Sequence, residues 1–500
     1  MLRPWNLNMD IVRGSHIPIH VQIADTIIDE IQRGRFLPGS VLPGTRELSN
    51  KLSINRKTVV QAYDELISKG WLTTESKRGT FVSSRVLMVN QSIKTAKTSF
   101  IRVSEKKHRI PDALMVSAAG QANKKLAADF ICLSDDIPDA RLIPYQQITR
   151  AMRHALTSLT RNNKLYYADP RGSTILREAI LNMLNMERGL NAELDNVCVV
   201  RGSQMGLFLA ARLLIEPNDC IVVEQLSNPI ARETFKNCGA NLLCVAHDQH
   251  GINLDALEML CINHPVRAIY VTPHHQMPTG VVMPMENRKA LLKLAEHYHF
   301  VIIEDDSGCE FNYAQKTLLP IASLDKTGRV IYVGSLSKIL APGFRIGYLL
   351  APANVIQHCA SDITMIDRQG NTPAELAVAE LLHTGEIKRH ITKSLKIYQE
   401  RKIHLNNLIH SELGEFCTVR HSTTGLGVWL DLAPYIQTHL LLKDAEKLKL
   451  KLLCADNYAE NQSIAGLRIG FAHLNNDEIT LGIQRLKNAF LYQSTIALRA

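Results

Sequence analysis

In 500 residues the sequence has no uninterrupted apolar run of the roughly 18 residues that a membrane-spanning helix needs. Its opening, MLRPWNLNMDIVRG, carries an acid and lacks the apolar core of a secretory signal, which predicts a cytoplasmic protein. Cysteine is absent before Cys132, and the ten that follow, as far as Cys454, include no C-x-x-C pair. This spacing argues against a zinc ribbon or a disulfide framework, so free buried thiols and no metal site are expected. With 46% hydrophobic and 21% charged residues the chain is neither disordered nor fibrous, and its length implies more than one domain.

The net charge of +9 is unevenly spread: residues 1–125 hold 20 Lys and Arg against 10 Asp and Glu, and the rest hold 37 against 38. The whole excess lies in the first quarter. A basic segment on a neutral body suggests a nucleic-acid contact, although the charge alone also fits an anionic surface or a solubilising tail.

From His20 to Gly34, Ala24, Ile27, Ile28 and Ile31 recur at helical spacing, and PGSVLPG then breaks the pattern. A short helix over Thr45 to Leu52 and a third from Asn55 to Lys69, stopped by Gly70, make a helix-turn-helix. Val59, Tyr63, Leu66 and Ile67 form the core stripe of the third helix. Asn55, Arg56, Lys57, Thr58 and Gln61 are left facing outward near its start, where a recognition helix meets base edges and phosphates. WLTTESKRGTFV then reads as a hairpin with Lys77 and Arg78 at its tip. Periodicity alone leaves a small helical dimerisation bundle equally open.

The run from PIHVQIADTIIDEI through GTRELSNKLSINRKTVVQAYDELISKGWLTTESKRGTFV resembles the GntR-type winged helix domain almost end to end. The resemblance implies that Arg46 and Arg56 contact DNA, that Thr58 touches a phosphate and that Gly79 is the wing glycine. Gly44 stands where relatives often carry serine, which removes one phosphate hydrogen bond. Residues 83–125 hold nine Lys and Arg against two acids with no sustained period, and read as a basic tether between a 1–82 head and a 126–500 body. The tether is either a solvated connector or an added phosphate contact.

Beyond Asn196 the runs NVCVV, CIVVE, NLLCV, RAIYVT, FVIIED, VIYVG and IGYLL alternate with helical patterns, which predicts a mainly parallel sheet covered by helices. Ligands in such folds sit at the carboxyl ends of the strands. There, Gly202-Ser203-Gln204 turns a strand into a helix whose amides can receive a phosphate, a weak signal alone. Asp305 ends FVIIED, where capping the following turn is its ordinary role. Lys338 follows VIYVG with Ser335 before it and Arg345 after it. A lysine for a Schiff base, an acid for a pyridinium nitrogen, and an arginine with hydroxyls for a phosphate form the set that pyridoxal 5′-phosphate needs.

YADPRGSTILREAI, GSQMGLFLAARLL, TPHHQMPTGVVMP, IIEDD, GSLSKILAPGFRIGYLLAP and LRIGFA occur in the order of a fold-type I aminotransferase, which the chain resembles from about residue 126 to 500. That fold is α/β, with a small C-terminal α+β subdomain. Joined to its head, the chain is similar to the MocR/PdxR subfamily of transcription regulators. The likeness implies that Lys338 carries the cofactor, Asp305 pairs with the ring nitrogen, and Arg345 with Ser203 and Ser335 holds the phosphate. Arg468 would receive the carboxylate of an amino-acid effector through a bidentate pair. His275 and Gln276 would line the pocket. A homodimer is expected, because aminotransferase-like sites are completed by a second subunit.

Two positions depart from the pattern: Asn228 and Ser307 stand where the family has tyrosines that stack on the ring and donate to its hydroxyl. Their loss weakens cofactor binding by about tenfold to a hundredfold, while the lysine and phosphate clamp remain. Three readings follow: a DNA-binding regulator sensing the cofactor or an amine or amino acid, a working aminotransferase with a DNA-binding head, and a regulator that has lost the cofactor. The missing tyrosines argue against efficient turnover.

Overall fold

The computed structural model describes residues 9, 11–12, 17–32, 36–75, 78–83, 129–134, 137–163, 165–314, 319–460 and 464–497. Two compact units, Met1–Lys124 and Lys125–Ala500, make up the chain. Of the expected tether, Ser83 alone falls within the described residues.

The first unit packs α1 (Ile19–Gln32), α2 (Thr45–Leu52) and α3 (Arg56–Ser68) against a hairpin of β1 (Leu72–Glu75) and β2 (Gly79–Val82). Helical spacing delivers Ile23, Ala24, Ile27 and Ile31 from α1 to the same core as Leu48, Val59, Ala62, Tyr63 and Leu66. The Tyr63 hydroxyl donates to the Pro43 carbonyl at 2.9 Å, tying the turn before α2 to α3. The hairpin is anchored by Leu72 and Val82, both buried.

The second unit is built on seven strands: β3 (Val197–Val200), β4 (Cys220–Glu224), β5 (Asn241–Val245), β6 (Val266–Val271), β7 (Val301–Asp305), β8 (Val330–Ser335) and β9 (Gly347–Leu350). Their order is β3-β9-β8-β7-β6-β4-β5, with β9 antiparallel to both neighbours and the other pairings parallel. VCVV and CIVVE are buried throughout, as strands covered on both faces must be. Alternate residues feed two cores. Val199, Tyr332 and Tyr348 join Leu176, Ile180 and Val378, whereas Val200, Val333 and Leu349 join Leu207, Ala210 and Phe235.

The covering helices are α4 (Tyr145–Arg161), α5 (Thr174–Arg188), α6 (Gly202–Leu214), α7 (Pro229–Asn237), α8 (Leu254–Asn263), α9 (Met285–Tyr298), α10 (Ala353–Ile366) and α11 (Thr372–His383). After the long α12 (Glu386–Leu413) come β10 (Cys417–Arg420), β11 (Gly427–Leu432), α13 (Thr438–Lys447), β12 (Leu453–Cys454), β13 (Gly466–Gly470) and α14 (Asn476–Ala497). These four strands form an antiparallel sheet in the order β10-β11-β13-β12, whose core includes Leu405 and Ile409 of α12 and Ile483 and Leu486 of α14. Ile131 and Leu133 join that core although they precede the large sheet by some sixty residues.

Among the described residues no helix is long and apolar enough to cross a membrane, and no cluster of His, Cys, Asp and Glu could hold a metal. The ten cysteines are free. Six are buried as expected, Cys132, Cys238 and Cys261 are partly buried, and Cys244, on the edge strand β5 of the large sheet, is exposed.

Candidate functional site

In the first unit Asn55 caps α3, its Oδ1 accepting the Lys57 amide at 2.9 Å, so this side chain is held by its own helix. Arg56 and Lys57 are exposed and Thr58 is half-buried. Arg56 Nε donates to Thr45 Oγ1 at 3.3 Å, which sets its guanidinium beside the start of α2, where Arg46 is also exposed. Arg78 is paired at the hairpin tip with Glu75 at 2.6 Å and lies 5.9 Å from the Phe81 ring centroid. Gly79 opens β2 at φ +118°, a conformation that favours glycine. Lys77 lies outside the described residues.

In the second unit the carboxyl ends of β3, β7 and β8 present the expected groups. Helix α6 begins at Gly202 with φ +74° and no side-chain cap, so its first amides, including those of Ser203 and Gln204, point out of the helix end. The guanidinium of Arg345 lies flat against this turn: a Cβ on Gly202 would come within 3.1 Å of Cζ and both terminal nitrogens. Arg345 also donates to the Arg201 carbonyl at 3.1 Å. Ser335 is buried at the end of β8, where its Oγ accepts the Ser337 amide at 3.2 Å. A helix end, a guanidinium and hydroxyls around one turn form an anion cradle. Gln204 is turned elsewhere, its amide donating to Thr234 Oγ1 at 2.6 Å and joining α6 to α7.

Asp305 ends β7 and is buried. Its Oδ1 accepts the Ser307 amide at 3.1 Å, the capping role open to it from the start, and its Oδ2 accepts the Tyr270 hydroxyl at 2.9 Å. Burial pushes its pKa up, offset in part by hydrogen bonds from Ser307 and Tyr270 and by the positive charge of Lys338. Lys338 reaches over the turn that follows: a Cβ on Gly308 would lie 3.8 Å from its Nζ. A buried carboxyl whose ionisation is disfavoured gains from a cationic ring nitrogen placed against it. With the amine and the anion cradle on the same strand ends, this donor set fits pyridoxal 5′-phosphate. Ser307, half-buried, follows Asp305 in the turn.

Asn228 offers no ring. It caps α7, its Oδ1 accepting the Ile230 amide at 3.0 Å, and its side chain hydrogen-bonds Tyr270. Tyr270 is buried, with its pKa driven well up by burial and then by Asp305, so it stays a neutral donor. Nothing in the run RAIYVT marks Tyr270 as more than a strand residue. Gln276 is 2% exposed and donates to Glu224 at 3.2 Å and to the Leu226 carbonyl at 2.6 Å; it belongs to a buried network and does not line an open pocket.

Arg468, on β13, is fully buried. One terminal nitrogen donates to the Pro278 carbonyl, and the other lies 3.0 Å from His275 Nε2. Because arginine can only donate, Nε2 is the acceptor; the His275 proton is then on Nδ1, donated to Thr424 Oγ1 at 2.9 Å. A second unforeseen cluster surrounds Asp306, which accepts from Arg188 and Tyr332 and stands 2.8 Å from His274 Nδ1. Burial alone would raise the Asp306 pKa, but His274 and Arg188 outweigh it and hold the carboxylate well below its ordinary range. Arg188 ends a helix 118 residues earlier, and no local pattern marks it.

Residues 136–486 match the model of the aminotransferase class I and II family, and residues 19–82 match that of the GntR family of bacterial regulatory proteins. The chain is 26% identical to the probable rhizopine catabolism regulatory protein MocR of Rhizobium meliloti, over 96% of this chain and 95% of that one. It is 27% identical to YdeL of Bacillus subtilis, described as an uncharacterized HTH-type transcriptional regulator, over 96% and 98% of the two chains. Among solved structures, kynurenine aminotransferase of Pyrococcus horikoshii superposes with a TM-score of 0.69 at 27% identity, over 73% of this chain and 92% of that one.

Proposed function

Since the chain belongs to the aminotransferase class I and II family and carries a GntR-type regulatory domain at its head, the architecture of MocR-type regulators, we propose that it is a cytoplasmic, homodimeric transcription regulator whose second unit holds pyridoxal 5′-phosphate and senses an amine or amino acid. The observation that carries this reading is the meeting of Lys338, Asp305 and the Arg345–Gly202 cradle at the carboxyl ends of adjoining strands, in a chain that also presents Arg46 and Arg56 on a winged helix.

When bound, the cofactor supplies an aldehyde that condenses reversibly with amines. Lys338 is the amine that anchors it, Asp305 holds the proton on the ring nitrogen, and Arg345, Ser203, Ser335 and the first amides of α6 receive the phosphate. Arg468 receives the carboxylate of the effector, which displaces the His275 imidazole from its terminal nitrogen. Asn228 and Ser307 supply neither a ring to stack nor a phenol to orient, which favours a sensor over a catalyst. The dimer is supported by Tyr166, Tyr167, Ile175 and Met186, exposed in one stretch of the chain, and by Arg345, exposed although it belongs to the cradle. A ligand switches such a protein only through unequal affinity for two conformations, and DNA binding is where that difference would be read.

The test is borohydride reduction of the full-length protein incubated with the cofactor, followed by peptide mass mapping, with gel shifts on its operator at fixed salt. A cofactor adduct on the Lys338 peptide and a cofactor-dependent shift are expected. No adduct at millimolar cofactor would leave a regulator without cofactor, and rapid transamination with no DNA binding would leave an enzyme.

A further inference from the structure

The second unit has another cleft that none of these roles uses. It lies between α12 and β10 with the residues following that strand, and encloses about 620 Å³ lined by Tyr313, Lys402, Asn406, His410, His421 and Thr423, among others. Lys402 is 8% exposed. Its Nζ donates to the Ser422 carbonyl at 2.5 Å and sits 4.8 Å from the centroid of the Tyr313 ring. Among the described residues no carboxylate pairs with it; the charged neighbour that acts on it is Arg468, of the same sign. A buried ammonium has three N–H donors to satisfy and is destabilising where they go unmatched.

One helical turn further along α12, Asn406 lines the same cleft, and its Oδ1 is buried without a hydrogen-bond partner. The wall of the cleft therefore holds a cation lacking an anion and, one helical turn along, a buried acceptor lacking a donor. A molecule answering both carries an oxyanion and a hydroxyl of its own, as hydrogen phosphate and small hydroxycarboxylates do.

We propose that this cleft binds a small hydroxyl-bearing oxyanion, with Lys402 pairing the anionic oxygen and Asn406 accepting the hydroxyl. The residue that Lys402 grips also connects to the first pocket. Ser422 Oγ donates to the Gly280 carbonyl at 2.7 Å, and two residues on, Thr424 holds His275, the partner of Arg468. An occupant is thus placed to alter how Arg468 is presented, whether or not a cofactor is held at Lys338.

Competitive amine labelling of the full-length protein tests this site directly. Burial and then Arg468 bring Lys402 down to about 8, so at mildly alkaline pH much of it is the reactive free amine. Acetylation of the Lys402 peptide is compared with that of the exposed Lys388 and Lys447 in inorganic phosphate, in malate, in acetate and in chloride at matched ionic strength. Phosphate or malate at ten times its dissociation constant should slow Lys402 labelling about tenfold, acetate less, and the reference lysines not at all. Phosphate and malate acting unequally would tell which oxyanion fits.

Equal labelling in all four salts, or equal slowing of the reference lysines, overturns the proposal. If the reagent fails to reach Lys402, calorimetric titration decides. Lys402→Met, which keeps the length of the chain and removes the charge, should bind the favoured anion at least about tenfold more weakly than wild type. The same affinity in both, or no binding by wild type, means that water alone satisfies the cleft.

Discussion

Tyr270 donates its hydroxyl to Asp305 at 2.9 Å, so the carboxylate at the end of β7 is aimed by a phenol from the neighbouring strand β6. The same hydroxyl is hydrogen-bonded by Asn228, the residue that replaces the stacking tyrosine of the family. Tyr270→Phe removes a hydrogen bond to a buried, ionisable group, worth about 1.5 to 3 kcal/mol when the group is charged. Cofactor affinity is expected to fall about tenfold or more, with operator affinity in the absence of cofactor unchanged. An absorbance titration checks it, and an unchanged dissociation constant would separate Tyr270 from the site.

The seven strands of the large sheet were legible because each is a nearly continuous apolar run, the mark of a sheet covered by helices, even though the edge strand β5 is only partly buried. Lys338, Asp305 and Arg345 were legible because Asp305 ends a strand, Lys338 closely follows one and Arg345 stands just before one, together supplying the groups a single cofactor needs. The network behind them was not. Arg188 reaches Asp306 across 118 residues, and Gln276 reads like a pocket residue until the fold closes Glu224 and Leu226 over it. The small sheet was implied by the resemblance as a C-terminal α+β subdomain, but its strands could not be read one by one: β12 has two residues, and the core borrows Ile131 and Leu133 from far upstream.

Gly202→Ala is expected to damage the anion cradle more than loss of a single hydroxyl there. At φ +74° a side chain costs about 1 to 2 kcal/mol, and the new methyl would stand 3.1 Å from the Arg345 guanidinium and push it off the turn. Ser203→Ala removes one hydrogen bond of about 1 kcal/mol. Competition between inorganic phosphate and the cofactor should rank wild type, Ser203→Ala and Gly202→Ala in descending affinity. The reverse order for the two variants would place the phosphate elsewhere.

Glu224 is buried and pushed up to about 8 from its ordinary 4.5, chiefly by burial, with the Gln276 amide opposing. A raised folded-state pKa means that the favourable contribution is complete below pH 4.5 and is lost as the pH climbs to 8, at no more than about 1.4 kcal/mol per pH unit. Glu224→Gln keeps the acceptor for Gln276 and removes the titration. Its melting temperature should equal that of wild type near pH 4.5 and exceed it increasingly toward pH 8. Glu304 and Glu310, both raised to about 7, leave a shallower slope in the variant. Parallel pH profiles would show that Glu224 ionises freely.

Arg56 stands exposed at the start of α3, steadied by Thr45. Loss of an arginine base contact costs about 1 to 3 kcal/mol, so Arg56→Ala should weaken operator binding about tenfold to a hundredfold while the cofactor spectrum stays that of wild type. Lys57→Ala, if it meets phosphate, should instead weaken specific and random DNA alike and flatten the salt dependence. Gel shifts at several salt concentrations distinguish the two, and unchanged operator affinity for Arg56→Ala would mean that another surface reads the DNA.

Lys338→Ala separates holding the cofactor from responding to it. The amine lies over the turn at Gly308, and its charge favours the ionised Asp305, so its removal takes away the covalent anchor and leaves the Asp305 carboxyl harder to ionise. The Arg345 cradle stays, so weak, non-covalent cofactor binding is expected to persist without the absorbance of the anchored form. Residues 19–82 carry their own buried core, so operator affinity without ligand should match wild type. What should vanish is the change in DNA affinity on adding the cofactor or an amino acid. If the variant responds as wild type does, the anchored cofactor is not the switch. An amino-acid response that survives in Lys338→Ala and disappears in Arg468→Lys would move the sensing step to the His275–Arg468 pair.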